Sequence, residues 1–323
     1  MSSADATAAN EDTSERNRRA NVIAFLLMVV LIALAPFFAY PFFVMQALCF
    51  ALFACAFNLL IGYVNLLSLG HAMFLGVASY VCAHVAKVWG LEPVSAILIG
   101  ALASGVLGLV TGALAIRSSG IYFAMITVAF SQMIYFLAVE LPFTHGEDGI
   151  QGVPQGRALG FLDLSNPWML YVFVAVIFLF GFLAVQRIVN SPFGEILKAI
   201  RENEPRVVSL GYRATQYKLA AFTLSATIAG LAGATKAIVT QNASLTDVSF
   251  ATSGEVVLMT LVGGMGTFYG PVVGAIIVIT MQNYLAQFGE WVTVIQGVVF
   301  VACVLAFRRG IVGELAAKVK LSL

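Results

Sequence analysis

The chain has 323 residues, of which 60% are hydrophobic and 10% charged, with a mean hydropathy of +0.95 and a formal net charge of +1. A soluble domain carries roughly 25% charged residues, so a soluble globular protein is excluded. The near-neutral balance gives no basic field for nucleic acid, and the alternating short segments of an outer-membrane barrel are missing.

Residues 1–20 are polar and predict a disordered tail. Arg16, Arg18 and Arg19 precede the run Val22 to Ala35 and imitate a secretory signal. Pro36 directly after Ala33-Leu34-Ala35 argues against cleavage there, so this run reads as a retained first span. Further apolar runs follow, giving segments at 22–40, 42–61, 72–89, 94–116, 121–140, 168–187, 217–241, 250–262, 271–288 and 291–307. These are ten segments, one of them short, and a run of about 18 residues or more crosses a hydrocarbon core of roughly 30 Å as a helix. The fold class is therefore an all-α polytopic membrane protein with about 8–10 transmembrane or broken helices. A cytoplasmic N-terminus puts every Lys and Arg on the cytoplasmic side except Lys87, Arg157 and the intramembrane Lys236, which satisfies the positive-inside rule. Both termini are then cytoplasmic, with a membrane domain at 21–310 and a tail at 311–323. An outer loop, 141–167, is rich in Gly and Pro and carries Glu147, Asp148 and Asp163. An inner loop, 187–217, is charged. No soluble domain is embedded between the spans.

The chain has no G-x-x-x-x-G-K-[ST] to cradle phosphates, no H-E-x-x-H and no G-x-S-x-G, so ATPase, zinc-protease and serine-hydrolase chemistry lack their residues. Cys49, Cys55, Cys82 and Cys303 lie inside apolar runs without metal-ligand spacing and read as small core residues. His71, His84 and His145 make no ligand pattern.

In the inner loop, Ser191 is placed to cap a helix that starts at Pro192. Phe193, Ile196, Leu197 and Ile200 then recur at i, i+3, i+4, i+7, opposite Glu195, Lys198, Arg201 and Glu202. Pro205 is expected to end that helix, Arg206 to Leu210 to add a turn, and Gly211 to supply a permissive C-terminal position. Such a helix–break–helix suits docking to a partner, and its stripe suits a bed of lipid headgroups equally well.

Two glycine-rich stretches, Gly62 to Gly76 and Gly263 to Gly274, interrupt the apolar sequence. The run from Phe250 to Gly263 is too short to span, so Gly263-Gly264-Met265-Gly266 reads as a break beside a pathway, or else as close helix packing. Ser104, Gly108, Gly112 and Ala115 have the spacing of a packing face. Glu255 and Lys236 are intramembrane charges and hence candidate functional groups, although Lys236 is close enough to the outer interface to snorkel. Asn58, Thr127, Ser131 and Gln132 are polar groups in apolar runs, suited to a pathway or to joining helices by hydrogen bonds.

Four blocks carry a resemblance: Asn58 to Tyr80, Gly120 to Pro154, Ser191 to Gly233 and Ser253 to Gly274. In them the chain resembles the LivM-type permease subunit of ABC importers for branched-chain amino acids and related small solutes. The resemblance implies a type II importer-like architecture in a bacterial-type inner membrane. It also implies a homologous second permease, two cytoplasmic ATPases and an extracytoplasmic substrate-binding protein as partners. ATP and Mg²⁺ would sit on those partner chains, and this chain would be neither an enzyme nor a cofactor binder. The implied ATPase-coupling residues are Phe193, Gly194, Glu195, Arg201, Glu202, Glu204 and Gly211. The candidate pathway residues are Asn58, His71, Thr127, Gln132, Lys236, Glu255, Gly263, Gly264 and Gly266. The chain departs from the family pattern at Pro205 to Ser209, at His145, at Asn65 and at Lys236, whose cation could attract an anionic solute. The competing function is a stand-alone channel or ion-coupled secondary transporter, for which Glu255 is the one clear mid-membrane acid. No residue in the sequence selects the substrate.

Overall fold

A computed structural model describes residues 22–158, 160, 162–289, 291–306 and 310–319. The expected disordered tail at 1–20, with Arg308, Arg309 and residues 320–323, lies outside the described residues.

Twelve helices are described: α1 (Val22–Phe38), α2 (Pro41–Ile61), α3 (Ala72–Lys87), α4 (Pro93–Ala115), α5 (Ile121–Glu140), α6 (Pro167–Val189), α7 (Pro192–Ser209), α8 (Ala214–Thr240), α9 (Phe250–Gly263), α10 (Gly270–Leu285), α11 (Trp291–Ala306) and α12 (Gly310–Val319). Proline opens α2, α4, α6 and α7, where its missing N–H has no helical partner to lose and its φ is already set. Four two-residue strands, β1 (Ile150–Gln151), β2 (Arg157–Ala158), β3 (Leu162–Asp163) and β4 (Asn242–Ala243), and four short 3-10 turns lie in the connections.

The ten apolar segments all appear as helices, but five rather than one are short. Among the described residues only α2, α4, α5, α6 and α8 are long and apolar enough to cross a membrane unaided, whereas α1, α3, α9, α10 and α11 have 14–17 residues. At 1.5 Å per residue, 16 residues reach about 24 Å. For α3 the reason is local: the chain from Gly62 to Gly70 stays non-helical, with Asn65 at φ +60°. The expected tail after 310 contains a helix, α12, whose first residue, Gly310, packs on the backbone of Gly264.

The bundle is organised around two buried helices. In α2 and α8, 89% and 78% of the membrane-length window is buried, against 33–44% in α4, α5 and α6. Lipid tails supply no hydrophobic drive between helices, so close approach of small residues takes its place. The predicted face of α4 does this: Gly108 lies against Ala226, a Cβ at Gly112 would come within 2.7 Å of the Phe222 ring, and Ser104 lies against Gly230. The Ser104 hydroxyl reaches Ala226 O at 2.8 Å and Phe74 O at 3.0 Å, joining α4 to α8 and α3.

The two ends of the bundle differ. Gly62, just after α2, meets Arg201 of α7 and the turn between α9 and α10, which defines an α7 end. From there α8 runs 27 residues, about 40 Å, to a loop end. At the loop end β1 pairs antiparallel with β4, Ile150 facing Ala243, and Lys87 Nζ donates to Gln151 O at 2.7 Å. The 141–167 segment is thus tacked to α3 and α8. His145 there adopts φ +62°, a left-handed position that favours glycine. The neighbouring hairpin pairs β2 with β3, and the Ser165 N–H bonded to Asp163 holds its carboxyl below the usual carboxylate range.

Candidate translocation path and coupling surface

The helix α7 starts as its sequence requires. Ser191 Oγ accepts from Gly194 N at 3.4 Å, and Gly194 lies so close to Val189 O that a side chain would not fit. The break falls at Asn203 (φ −157°, ψ 91°), not at Pro205. Asn203 Oδ1 accepts from Arg206 N at 3.1 Å, so Asn203 caps the second half and Pro205 occupies its first turn, where a missing N–H costs nothing. Gly211 closes the element at φ +92°.

The apolar stripe of α7 is used by the chain itself. Leu197, Ile200 and Val207 are buried, and the Phe193 ring stacks on Tyr217 of α8 at 5.7 Å. That leaves no stripe free for headgroups. The predicted coupling residues divide accordingly. Glu195 is exposed and pairs with Lys198 at 2.8 Å, and Glu202 and Gly211 are open to solvent. Phe193 and Gly194 turn inward. Glu204 pairs with Lys218 of α8 at 2.7 Å, and Arg201, expected on the outer face, donates through Nη1 to Gly62 O.

The glycine-rich breaks meet at this end. Asn58 Nδ2 donates to Thr267 O and Asn58 Oδ1 accepts from Gly266 N, both at 2.9 Å, so one carboxamide clamps the α9–α10 turn to α2. Gly264 at φ +122° and Gly266 at φ +76° hold backbone conformations closed to branched side chains. Gly263 abuts Gly270 O and Gly274 abuts Met259 O, which brings the backbones of α9 and α10 into direct contact. Thr267 Oγ1 donates to Gly264 O at 2.8 Å and accepts from Gly270 N at 3.1 Å, so the exposed peptide groups of the turn find partners, as membrane depth demands.

The other candidate pathway residues stay apart. His71 sits in a cage of Phe53, Phe57 and Phe74 with ring centroids at 5.3–5.6 Å, and its Nε2 lies 3.3 Å from Ser225 Oγ. Thr127 Oγ1 accepts from Leu69 N at 3.1 Å, tying α5 to the first glycine-rich stretch. Gln132 is exposed on α5 beside Met133 and Phe136. Glu255 is half-buried on α9, close to Gln282 of α10. An apolar crevice of about 660 Å³ between α1, α2 and α10, walled by Leu31, Phe38, Leu48 and Ile276, offers nothing to hold a polar solute.

Lys236 is neither a free cation nor snorkelling. Its Nζ binds Asp247 Oδ1, with side-chain exposures of 11% and 3%, while Ser79 Oγ donates to Asp247 Oδ2 at 3.2 Å. The ammonium also lies 5.8 Å from the Phe50 ring centroid. The cation expected to attract an anionic solute is thus already paired with Asp247. Sequence reasoning missed Asp247 and Ser79. An acid 11 residues from the intramembrane lysine was the available signal, and the turn between α8 and α9 concealed it.

The sequence model of the family described as "Branched-chain amino acid transport system / permease component" matches residues 39–304. The high-affinity branched-chain amino acid transport system permease protein LivM of Salmonella typhimurium is 25% identical over 329 residues, covering 92% of this chain and 76% of the relative. Its Escherichia coli counterpart is also 25% identical, over 327 residues, with the same coverage. The ribose import permease protein RbsC of Bacillus subtilis is 27% identical over 304 residues, 88% of this chain and 90% of the relative. No solved structure matches at the same level of significance. The match spans the buried helix pair, α7 and both glycine breaks, and the chain belongs to the branched-chain amino acid permease family, as a multi-pass membrane transport subunit.

Proposed function

We propose that the chain is the permease subunit of an ATP-driven ABC importer for branched-chain amino acids or related small solutes, in a bacterial-type inner membrane. It works beside a homologous second permease, two cytoplasmic ATPases and an extracytoplasmic substrate-binding protein. ATP and Mg²⁺ belong to the ATPases, and the chain itself binds no cofactor. The single observation that carries this reading is α7: an amphipathic element bolted to the bundle by its stripe, with Glu195 and Glu202 left open for a soluble partner. The arginine and lysine distribution supports a cytoplasmic side for α7 and both termini, with the α9–α10 turn beside α7 and 141–167 outside, where the binding protein would meet it.

In this reading the solute path runs along the exposed face of α5, where Gln132 is open, and past Glu255 toward the glycine breaks. The second permease completes it. A path between subunits accords with a single chain in which His71, Thr127, Gln132, Lys236 and Glu255 stay apart from the cluster of Asn58 and the glycines. The names of the relatives, amino acid and ribose permeases, support a polar small solute without choosing one.

The test is copurification of the tagged chain from its native membrane, followed by ATPase assay and by uptake in liposomes. Recovery of a P-loop ATPase and a second permease, with uptake that depends on ATP and a binding protein, is the expected outcome. A lone chain that moves solute down an ion gradient would establish a secondary transporter instead.

A further inference from the structure

We propose that Arg201 is a positioning residue linking α7 to both glycine breaks, so that a displacement of α7 is delivered to α2 and to the α9–α10 turn. This rests on the importer reading above. Gly62 follows the last turn of α2, where carbonyls lack helical partners and carry the negative end of the helix dipole. Arg201 Nη1 donates to that carbonyl, a cation on an anionic helix end.

The same guanidinium lies beside the second break: a Cβ added at Gly266 would stand 3.3 Å from Arg201 Nη1 and 3.4 Å from Gly62 O. One turn back from Gly62, Asn58 both donates to and accepts from residues 266–267. Arg201 therefore grips a clamped unit, not a loose loop. Through α2, which packs on α6, α8, α9 and α10, that unit reaches most of the bundle.

Arg201 itself is exposed, and it sits in the first half of α7, ahead of the break at Asn203. Releasing it strands no buried charge, so the link is reversible in a way that the Lys236 pair is not. The guanidinium matters as well: a planar fork carries several fixed donors, whereas an ammonium is a compact, strongly hydrated point charge.

The experiment compares Arg201→Gln and Arg201→Lys with the unaltered chain in the reconstituted complex, reading solute uptake per ATP hydrolysed. With Arg201→Gln the complex assembles and hydrolyses ATP, but uptake per ATP falls about tenfold or more, the weight of one charge-assisted hydrogen bond. Arg201→Lys is intermediate. Unchanged uptake per ATP overturns the proposal, and so does loss of ATPase copurification in step with uptake, which would make Arg201 a docking residue. A second measurement needs no ATPase: spin labels at Lys198→Cys and Met265→Cys, in a Cys303→Ser chain, report the spacing between α7 and the break. A narrow spacing that broadens with Arg201→Gln supports the link, and a broad one with Arg201 in place refutes it. If the unaltered chain recovers no ATPase, the importer reading fails while the label distances still judge the link.

Discussion

The α7 end and the loop end are both held by a basic residue, in opposite ways. At the loop end Lys236 and Asp247 are sealed together under Ser79, and β1–β4 pairing ties down the long connection beside them. At the α7 end an exposed arginine holds a carbonyl, and neutral hydrogen bonds from Asn58 hold a glycine turn. Removing one partner of a buried ion pair leaves an uncompensated charge, at about 3–5 kcal/mol, whereas a charge-assisted hydrogen bond from an exposed arginine is worth about 1.5 kcal/mol. The comparison assigns rigidity to the loop end and freedom to move to the end that bears α7.

The largest break in that comparison is expected from Lys236→Ala, which strands Asp247. The detergent-solubilised chain should lose about 3–5 kcal/mol, and the pair Lys236→Met with Asp247→Leu should recover most of it. A thermal melt of the three variants decides this, and a harmless Lys236→Ala would show the pair to be idle. Next is Gly264→Val, which forces a branched residue to φ +122°, at a cost of about 1–3 kcal/mol or more. Its control is Gly254→Ala, in open space on α9, expected to be neutral or stabilising by about 0.5–1 kcal/mol. If both shift the melt equally, the special backbone at 264 is not the cause.

Asn58→Leu should follow, leaving Gly266 N and Thr267 O unpaired at about 1–3 kcal/mol and loosening the α9–α10 turn. Faster hydrogen exchange confined to 263–270 would mark it, and exchange spread over the whole chain would point to general unfolding instead. The smallest effect is expected from Glu195→Gln. It removes an exposed i,i+3 pair worth about 0.3–0.5 kcal/mol, so the melt stays put while recovery of the ATPase falls if that face docks it.

The legible parts were the local ones. Segment ends such as 42–61 and 121–140 correspond to α2 and α5 within a residue, because proline, glycine and charge mark where an apolar helix stops. The Ser191 cap, the Gly211 terminus and the α4 packing face were legible for the same reason. The break in α7 was expected at Pro205 but falls at Asn203, because proline is as comfortable in a first turn as it is disruptive further on. Among the candidate site residues, Asn58 and the glycines come together in one cluster, yet their partners were hidden. Thr267 lies 209 positions from Asn58, and no periodicity spans that distance.

What the sequence by itself determined is the membrane-spanning helical class, the place of the ten apolar helices and the amphipathic α7. In a bilayer every peptide group must bond within its own segment, so local hydropathy and local caps suffice. Only the tertiary structure decided that α2 and α8 form the buried pair, that Lys236 is neutralised by Asp247, and that Arg201 turns back to Gly62. Each of these depends on which distant surfaces meet, and a side chain's charge does not say which partner will reach it.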